Sequence, residues 1–328
     1  MNASTAGYNA YLARINRVFD YIDAHLAEPL DLDALSKVAH FSPYHFHRIF
    51  KALAGETLAE RVRRRRVEVA AARLMAAQPA TASAIALDVG FASPEVFTRA
   101  FRGYFGMTPT QWRGGGHRGW IEARRELLSK IRQDESKKHQ AVLEAIRNDG
   151  GMWPHGHVPA NGDLPMQVEI KLLNDARIAY MRHVGPYGSA SISQLWQRFA
   201  VWCREQGLIP PPRLMYGVCM DDPGVTPADK LRYDACIEVA DDFKPQGEIG
   251  LTTLKGGCYA CALFGGTAAQ ISGAWGRFVS EWLPGSGYVV DTSDEARRAV
   301  ELYGLDFKMD KDTGVFNCLL CLPVRHAG

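Results

Sequence analysis

Ten residues near the start of the chain read Ser42-Pro43-Tyr44-His45-Phe46-His47-Arg48-Ile49-Phe50-Lys51, and 51 positions further on the chain reads Ser93-Pro94-Glu95-Val96-Phe97-Thr98-Arg99-Ala100-Phe101-Arg102. Each copy begins with serine, a preferred helix cap, and continues with proline, which suits the first helical position because an N–H there would have no partner. Two phenylalanines in each copy lie four residues apart, so they share one helix face and leave a polar face opposite. The repeat predicts two equivalent amphipathic helices.

Each predicted helix follows a shorter apolar segment and a tight turn. The segments run from Leu32 to Ala39 and from Ile85 to Val89, and the turns contain His40 and Gly90. A short helix, a tight turn and a capped second helix form the helix-turn-helix motif, whose second helix reads the major groove of DNA. We expect a DNA-binding domain, while the pattern leaves open a helical domain whose polar faces have no partner.

A long helix is predicted between the two copies. Residues from Leu58 to Ala77 lack glycine and proline and are rich in helix formers, which predicts one helix of about 20 residues and about 30 Å. Such a rod can hold two recognition helices about one DNA turn, roughly 34 Å, apart. Arg63 to Arg66 cover all sides of this helix, so we expect at most one or two to face phosphate and the others to be solvated or ion-paired.

The segment from about Ile15 to Arg113 resembles the DNA-binding domain of the AraC/XylS transcription regulators. The resemblance rests on Ile85-Ala86-Leu87-Asp88-Val89-Gly90-Phe91 followed by Ser93, Phe97, Phe101, Phe105-Gly106 and Thr108-Pro109. It implies that both recognition helices contact DNA, and with the two capping serines the DNA-binding residues are Ser42, Tyr44, His47, Arg48, Ser93, Pro94, Glu95, Thr98 and Arg99. Arg48 and Arg99 are the strongest candidates, because arginine can pair bidentately with guanine or hold phosphate.

The composition fits more than one globular domain. The chain has 328 residues, of which 47% are hydrophobic and 23% charged, and its net charge is +2. Clusters of glycine and proline divide it into an all-α double helix-turn-helix domain at 8–114, a connector helix and linker at 115–163, and a second domain at 164–328. Because no stretch resembles a secretion signal or reaches about 20 apolar residues, we expect a cytoplasmic protein without a membrane partner.

The second domain is predicted to be α+β, with an antiparallel sheet built from duplicated strand-helix-strand units. Five apolar runs indicate strands: 177–183, 214–220, 233–239, 258–264 and 317–324. Two helical stretches repeat one another, because Ile192, Trp196, Phe199 and Trp202 are followed 79 or 80 residues later by Ile271, Trp275, Phe278 and Trp282. The duplication predicts a cleft between its halves, although the tryptophans could equally fill the two cores.

The region from about Met166 to Val324 resembles the GyrI-like effector-binding domains of drug-responsive regulators. Its landmarks are His183-Val184-Gly185-Pro186-Tyr187, Arg232-Tyr233-Asp234-Ala235-Cys236, Leu283-Pro284-Gly285-Ser286-Gly287-Tyr288 and Glu301-Leu302-Tyr303. The resemblance implies an aromatic cleft with a buried acid that binds small, often cationic and lipophilic molecules, here formed by Tyr187, Tyr216, Trp275, Glu301 and Tyr303. Arg297 and Arg298 precede the acid, which leaves an anionic or zwitterionic ligand open, and Glu301 could instead be a solvated helix residue.

Seven cysteines lie in the second half of the chain, mostly inside apolar runs, which favours reduced thiols over a disulfide framework. Two of the spacings, Cys258-x-x-Cys261 and Cys318-x-x-Cys321, are typical of a four-thiolate zinc site or a redox switch. Residues three apart on a strand point to opposite faces, so these pairs are poorly placed to share one metal ion. We predict no metal and no cofactor.

Together these features predict a transcription regulator that reads two adjacent major grooves and is modulated by a small molecule bound in its second domain. The expected partners are double-stranded DNA, the effector and RNA polymerase, and the sequence does not indicate an oligomeric state. Two alternatives stay open: a hydrolase that uses Glu301 as acid or base on a small molecule, and a second domain that docks a protein.

Overall fold

The computed structural model describes residues 3–76, 80–130, 158, 166–188, 190–209, 213–245, 247–291, 297–310 and 312–327. Contacts divide the chain into two compact units, Met1–Arg124 with Pro245–Gly250, and Arg125–Lys244 with Leu251–Gly328. Of the predicted connector at 115–163, residues 115–130 and 158 are described, and the predicted helix from Trp120 is helical to residue 130; its remainder, to Arg147, lies outside the described residues. No helix in the described ranges has the length and apolarity needed to cross a membrane.

Between residues 3 and 124, the regular structure of the first unit is all helical and contains both predicted helix-turn-helix motifs. Its helices are α1 (Ala3–Ala24), α2 (Leu32–Val38), α3 (Pro43–Ala54), α4 (Leu58–Leu74), α5 (Ala82–Asp88), α6 (Pro94–Phe105), α7 (Pro109–Gln111), a wide helical turn (Trp112–Gly116) and α8 (117–130). Helices α2 and α3 form the first motif and α5 and α6 the second, which confirms the fold predicted from the repeat. Thr57 caps α4 reciprocally with Glu60, since the hydroxyl accepts from the Glu60 N–H and the carboxylate accepts from the Thr57 N–H.

The helix between the motifs is shorter than predicted. It ends at Leu74 with Met75 as its cap, so it has 17 residues and spans roughly 25 Å. The last predicted residue, Ala77, lies outside the described residues. Propensity alone set the predicted end too far along the chain, because alanine favours helix wherever it stands and gives no stop signal.

The two motifs differ by one residue in the turn. Recognition helices α3 and α6 are 51 positions apart, but Phe41 donates its N–H to the Ser36 carbonyl just as Phe91 donates to Ala86, an offset of 50. His40 and Gly90 both adopt positive φ, at 53° and 92°. The second turn therefore contains one additional residue, Ala92, before its capping serine.

Aromatic side chains fill the core of each motif. In the first, Phe46 and Phe50 are buried and the Phe50 ring packs edge-on against Phe19 of α1, with the centroids 5.8 Å apart. In the second, Phe101 and Phe105 pack against Trp112, whose indole N–H donates to the Ala71 carbonyl of α4 at 3.2 Å. Each buried ring contributes roughly 1.5–3 kcal/mol, so the four-residue spacing seen in the sequence anchors both recognition helices.

The basic run on α4 is largely internal to the fold. Arg64 pairs with Glu56 at 2.6 Å and with Glu68 at 2.9 Å, while Arg65 pairs with Glu68 at 2.8 Å and with Asp23 of α1 at 3.0 Å. Ion pairs thus occupy two of the four arginines, and Arg66 donates to the carbonyls of residues 26 and 28. Arg63 is the exposed member of the run.

Glu68 joins α4 to the second recognition helix. The Tyr104 hydroxyl on α6 donates to its carboxylate at 3.1 Å. Glu68 is 2% exposed and also accepts from Arg64 and Arg65, so its charge is compensated inside the unit. Buried and paired charges of this kind are strongly destabilising to break, which makes the network a rigid link from α6 through α4 to α1.

The second unit is built on one antiparallel sheet. Its strands are β1 (Val168–Leu173), β2 (Ala176–Val184), β3 (Met215–Cys219), β4 (Arg232–Glu238), β5 (Gly250–Leu254), β6 (Gly257–Gly266), β7 (Tyr288–Val290), β8 (Ala299–Tyr303) and β9 (Phe316–His326). They pair in the order β1-β6-β9-β8-β3-β4-β2-β5, with β7 on β9. Helices α9 (Ala190–Glu205) and α10 (Ala268–Arg277) complete two related units, β1-β2-α9-β3-β4 and β5-β6-α10-β8-β9. The predicted duplication is confirmed, and the two halves meet where β3 pairs with β8.

The sheet curls until its two ends come together. Strands β1 and β2 are joined by only two residues, yet six strand spacings of about 4.8 Å separate them along the pairing order. The same holds for β5 and β6, and the two turns bond to each other through Asp175 and Lys255 at 2.7 Å. The sheet therefore has an inner face, lined by residues such as Tyr216, Cys236, Tyr259, Cys261 and Cys321, and an outer face that α9 and α10 cover.

Gly90 offers a direct test of the packing of the second turn against Leu26 and Arg66. An added Cβ would lie 2.3 Å from the Leu26 carbonyl oxygen and 2.8 Å from Arg66 Nη2, at a backbone φ that alanine disfavours. We expect Gly90→Ala to lower the free energy of unfolding by at least about 1–2 kcal/mol, measured by urea titration.

Gly103→Ala is the matched control, because no atom lies within 4 Å of its added Cβ and the residue sits in helix α6. This variant should be more stable than the parent by roughly 0.5–1 kcal/mol. Equal effects of the two substitutions would refute the packing described for Gly90.

Candidate DNA interface and ligand site

The first recognition helix presents a polar and aromatic surface. Ser42, Tyr44, His47 and Arg48 are all exposed, and the Tyr44 ring is 68% exposed although it is large and apolar. The Arg48 guanidinium lies 5.9 Å from the Tyr44 ring centroid, and its Nη1 donates to the Tyr44 hydroxyl at 3.5 Å. Arg48 and Tyr44 are thus held side by side on the outer face of α3, where both can meet a nucleic-acid surface.

The second recognition helix differs in chemistry. Glu95, Thr98 and Arg99 are exposed, while Ser93 and Pro94 are half-buried at the helix start. The Ser93 hydroxyl accepts from the Val96 N–H, and its hydrogen bond to Glu95 holds the pKa of that carboxyl below its usual range. The Thr98 hydroxyl donates to the Pro94 carbonyl at 2.8 Å. Of this set, Arg99 offers donors, and the ionised Glu95 offers acceptors.

Glu301 occupies the junction of the two halves of the curled sheet. It lies on β8, not on a helix, and is 4% exposed. Its register partner on β3 is Gly217, and an added Cβ there would lie 1.9 Å from the Tyr233 hydroxyl and 2.6 Å from Glu301 Oε2. The absence of a side chain at Gly217 leaves the space in which acid and phenol meet.

Three donors surround the buried carboxylate. The Tyr233 and Tyr303 hydroxyls donate to Oε2 at 2.5 Å and 2.9 Å, and the Trp275 indole N–H donates to Oε1 at 3.4 Å. Burial raises the pKa of Glu301, and these hydrogen bonds only partly offset the effect. Burial and the neighbouring carboxylate raise the pKa of Tyr233 and Tyr303, so both phenols keep their protons and remain donors.

The repeated tryptophans take equivalent positions in this site. Trp196 of α9 donates its indole N–H to the Tyr233 hydroxyl at 3.1 Å, and its ring lies 5.0 Å from that of Tyr303. Trp275 of α10 donates to Glu301 itself. Both indoles are half-buried. Each half of the duplicated unit thus supplies one tryptophan to the acid and its phenols.

The five residues expected to form the ligand site are not all brought together. Trp275, Glu301 and Tyr303 form one cluster, and Tyr187 borders it through a ring contact of 6.4 Å with Tyr233. Tyr216 lies on the inner face of the sheet and donates to Glu238 at 2.5 Å, so the structure places it apart from the cluster around Glu301. The reason is strand alternation: Tyr216 pairs with Leu302, one residue away from Glu301, and neighbouring residues on a strand face opposite sides.

Three residues of the cluster had not been singled out as ligand-binding: Tyr233, Trp196 and Gly217. Tyr233 stands within a landmark of the resemblance and Trp196 within the helix repeat, so each carried a signal that pointed to its importance. Gly217 carried none, because only the pairing of β3 with β8 shows what an added side chain would meet.

Arg297, which precedes Glu301 in the sequence, and the buried Arg232 are each paired with a carboxylate. Arg297 forms an ion pair with Asp291 and its guanidinium lies beside Gly257, where an added Cβ would be 2.9 Å away. Arg232 is fully buried and pairs with Asp221 at 2.6 Å. The Tyr187 hydroxyl lies 2.8 Å from the Arg232 carbonyl oxygen and accepts from the Asp221 N–H at 3.1 Å, so its role includes support of this pair.

The four cysteines with paired spacing are split between the two faces of the sheet. Cys261 and Cys321 lie directly opposite each other on the inner face. Cys258 and Cys318 point to the outer face, because each is an odd number of residues away on the same strand. Among the described residues, no group of three or more histidine, cysteine, aspartate or glutamate side chains is arranged to hold a metal ion.

Two protein families match separate parts of the chain. Residues 35–115 match the family described as a helix-turn-helix domain, and residues 166–325 match the GyrI-like small molecule binding domain. The regulatory protein SoxS of Salmonella typhimurium is 33% identical over 99 residues, which are 30% of this chain and 92% of SoxS. The bifunctional transcriptional activator/DNA repair enzyme AdaA of Bacillus subtilis is 36% identical over 30% of this chain and 46% of its own length.

One solved structure of a similar protein is the DNA-binding domain of AdpA in complex with a target DNA. It is 28% identical in sequence, covers 30% of this chain and 89% of its own, and superposes with a TM-score of 0.29.

The space at Gly217 can be tested by filling it. Gly217→Ala should lower the free energy of unfolding by about 1–3 kcal/mol, because Tyr233 and Glu301 must move apart to admit the methyl group. Chemical denaturation followed by tryptophan fluorescence measures this change. Gly273→Ala on α10, where no atom lies within 4 Å, should instead be neutral or stabilising, and a loss of the same size there would contradict the assignment.

Proposed function

The chain belongs to the AraC-type family of helix-turn-helix transcription regulators and carries a GyrI-like domain, and from this premise we propose that it is a one-component regulator. Its first unit binds two successive major grooves of double-stranded DNA. Its second unit binds a lipophilic cation at Glu301. Occupancy of that site changes how the protein binds DNA or recruits RNA polymerase. The observation that carries the ligand half of the proposal is the buried carboxylate with its phenol and indole donors.

The exposed surfaces of α3 and α6 support DNA binding. In each helix, buried phenylalanines anchor one face. The other face is exposed and rich in hydrogen-bonding groups. Arg48 and Arg99 occupy the same position in the two copies, and both are exposed. We assign them to base or phosphate contacts in successive grooves, with Tyr44, His47, Glu95 and Thr98 as their neighbours on the same surfaces.

The ion-pair network around Glu68 on α4 supports simultaneous binding of two grooves. Two recognition helices can bind neighbouring grooves at low entropic cost only if the angle between them is fixed before binding. Glu68 ties α4 to α6 through Tyr104 and to α1 through Arg65 and Asp23. The Trp112 indole adds a second attachment of the same motif to α4.

The chemistry around Glu301 favours a cation over an anion. The site holds a carboxylate among the rings of Tyr233, Tyr303, Trp196 and Trp275, and both an acid and ring faces attract positive charge. Arg297, one of the two arginines that left an anionic ligand open, is ion-paired with Asp291. A cation would therefore pair with the buried negative charge of Glu301, whereas an anion would be repelled by it.

Trp275 is the side chain that we expect to move when the ligand binds. Its hydrogen bond to Oε1 is the longest of the three, and its indole is half-buried. Helix α10 passes directly into a wide turn at Phe278–Trp282 and a tight turn at Leu283–Gly285, which mark a helix end that can rearrange. Movement of the Trp275 ring would open Oε1 while the two tyrosines hold Oε2.

The same acid fits a hydrolase as second candidate, because a glutamate whose pKa is raised by burial can act as a general acid. In that case the protein would consume a cationic ester, and Glu301→Gln would abolish the turnover. Recovery of the intact ester after prolonged incubation would leave sensing as the function of the site.

The DNA half of the proposal predicts a sequence-specific role for Arg99. Arg99→Ala should weaken binding to a duplex selected from a random pool by about 1–3 kcal/mol and leave binding to unrelated duplex nearly unchanged. Arg102→Ala is the control, because Arg102 is exposed one turn further along α6. Equal losses on selected and unrelated duplex would make Arg99 a phosphate contact and remove it from base reading.

The ligand half predicts pH-dependent binding of tetraphenylphosphonium. Protonation neutralises Glu301 and removes the charge that attracts the cation. Burial raises the pKa of this carboxyl above its ordinary 4.5. Affinity should therefore fall as the pH decreases toward the raised pKa, at a higher pH than an exposed glutamate would require. Glu301→Gln should weaken binding roughly 10- to 100-fold at neutral pH and abolish the pH dependence, as measured by quenching of tryptophan fluorescence.

Glu238→Gln is the matched control for this experiment. Glu238 also accepts a short hydrogen bond from a tyrosine, Tyr216, but that pair belongs to the inner side of the sheet. Its substitution should leave the affinity for the cation unchanged. If both variants bind as the parent does, Glu301 is not the cation site.

A further inference from the structure

The inner face of the curled sheet carries a pair of thiols that neither DNA binding nor ligand binding uses. We propose that Cys261 and Cys321 form a peroxide-reactive dithiol that closes to an intramolecular disulfide across strands β6 and β9. The site is a modification site, and its co-reactant is a small hydroperoxide.

The register of the two strands places the cysteines directly opposite each other. Cys261 pairs with Cys321 in the antiparallel ladder of β6 and β9, so both side chains point to the same face. Opposed residues in such a ladder have Cα atoms about 4.5–5.5 Å apart, which lies within the range of about 4.4–6.8 Å that a disulfide spans. The backbone needs no large movement to admit the bond.

Both cysteines are free thiols, 2% and 0% exposed, and each Sγ donates to a carbonyl of its own strand, Cys261 to Tyr259 at 4.0 Å and Cys321 to Leu319 at 3.7 Å. Cys236 also faces the inner side of the sheet, but it lies on β4, which β8 and β3 separate from β9 in the strand order. Of these three thiols, Cys261 and Cys321 are the two that lie on neighbouring strands.

The two thiols are chemically unequal. The neighbouring Cys321 thiol and, to a smaller extent, the Lys171 ammonium group lower the pKa of Cys261, against the opposing effects of burial and of the Glu169 carboxylate. The neighbouring Cys261 thiol and burial raise the pKa of Cys321. Cys261 is thus the thiolate that attacks, and Cys321 keeps its proton until the second step.

The reaction balances with one hydroperoxide. The Cys261 thiolate attacks the terminal peroxide oxygen and breaks the O–O bond, which gives Cys261 sulfenic acid and an alkoxide or hydroxide that takes up a proton. The Cys321 sulfur then attacks the Cys261 sulfur, and the departing hydroxide leaves as water with the Cys321 proton. Two thiols are oxidised to one disulfide, and the peroxide is reduced to an alcohol, or to water from hydrogen peroxide, plus water.

A route to the thiols exists at the end of the strand order. Strand β1 covers Cys261, since Glu169 is its register partner, and β1 is a terminal strand of the path. The Lys171 side chain on this strand is 40% exposed, so the group that favours the Cys261 thiolate also reaches solvent. Fraying of one edge strand is enough to admit a molecule the size of hydrogen peroxide.

Hydrogen peroxide and the full-length protein provide the test. After reduction and removal of the reductant, peroxide should lower the mass by 2 Da, and dithiothreitol should restore it. The double variant Cys258→Ser with Cys318→Ser leaves a single cysteine on each of β6 and β9, so its cross-linked tryptic peptide must join Cys261 to Cys321. We expect this variant to form the disulfide as the parent does, and Cys261→Ser and Cys321→Ser to lose it.

Three results would overturn the proposal. They are a gain of 16 or 32 Da without the loss of 2 Da, a cross-link that includes another cysteine, and thiols that stay fully alkylatable after treatment. If Cys261→Ser or Cys321→Ser fails to fold, the mass and the peptide map of the double variant Cys258→Ser with Cys318→Ser decide the question. Because no DNA or effector is present, the outcome is separate from that of the proposed function.

Discussion

The Glu301 carboxylate is buried where β3 and β8 join the two halves of the curled sheet, and the residues around it in the second unit must satisfy its charge. A buried charge is costly unless donors surround it, and here two phenols and an indole do so. Each element that supplies a donor is fixed by the duplicated architecture: β4 carries Tyr233, β8 carries Tyr303, and α10 carries Trp275. Gly217 keeps the register position opposite the acid empty. An arrangement that only stabilised the fold would be served as well by apolar side chains, and this is why the acid points to a ligand.

The first unit solves a related problem with its own buried charges. Glu68 forms ion pairs with two arginines of α4 and accepts a hydrogen bond from the Tyr104 hydroxyl of α6. Asp23 of α1 forms a second ion pair with Arg65. Hydrophobic packing alone would hold the two motifs together but would fix their angle less sharply, because ring contacts tolerate small rotations more easily than ion pairs do. Arg64 and Arg65 of the basic run thus serve the geometry of the fold, and the exposed side chains of α3 and α6 remain available to DNA.

Local signals explain what the sequence predicted well. The caps at Ser42 and Ser93, the four-residue spacing of phenylalanines and the turn at Gly90 are properties of neighbouring residues, and they defined the two motifs. The strands β1, β5, β7 and β8 escaped prediction because none of them forms a long apolar run, and only long-range pairing defines them. The same limit explains Tyr216 and Tyr233: composition makes both good ligand rings, but the register between β3, β4 and β8 decides which face each one meets.

Selection of bound duplexes from a random pool, with and without tetraphenylphosphonium at one fixed salt concentration, tests the central claim most directly. The account predicts an enriched motif with two elements about ten base pairs apart, and a change in the affinity for that motif when the cation is present. Absence of enrichment, or one short element that the cation does not affect, would contradict a regulator that reads two grooves and senses a cation.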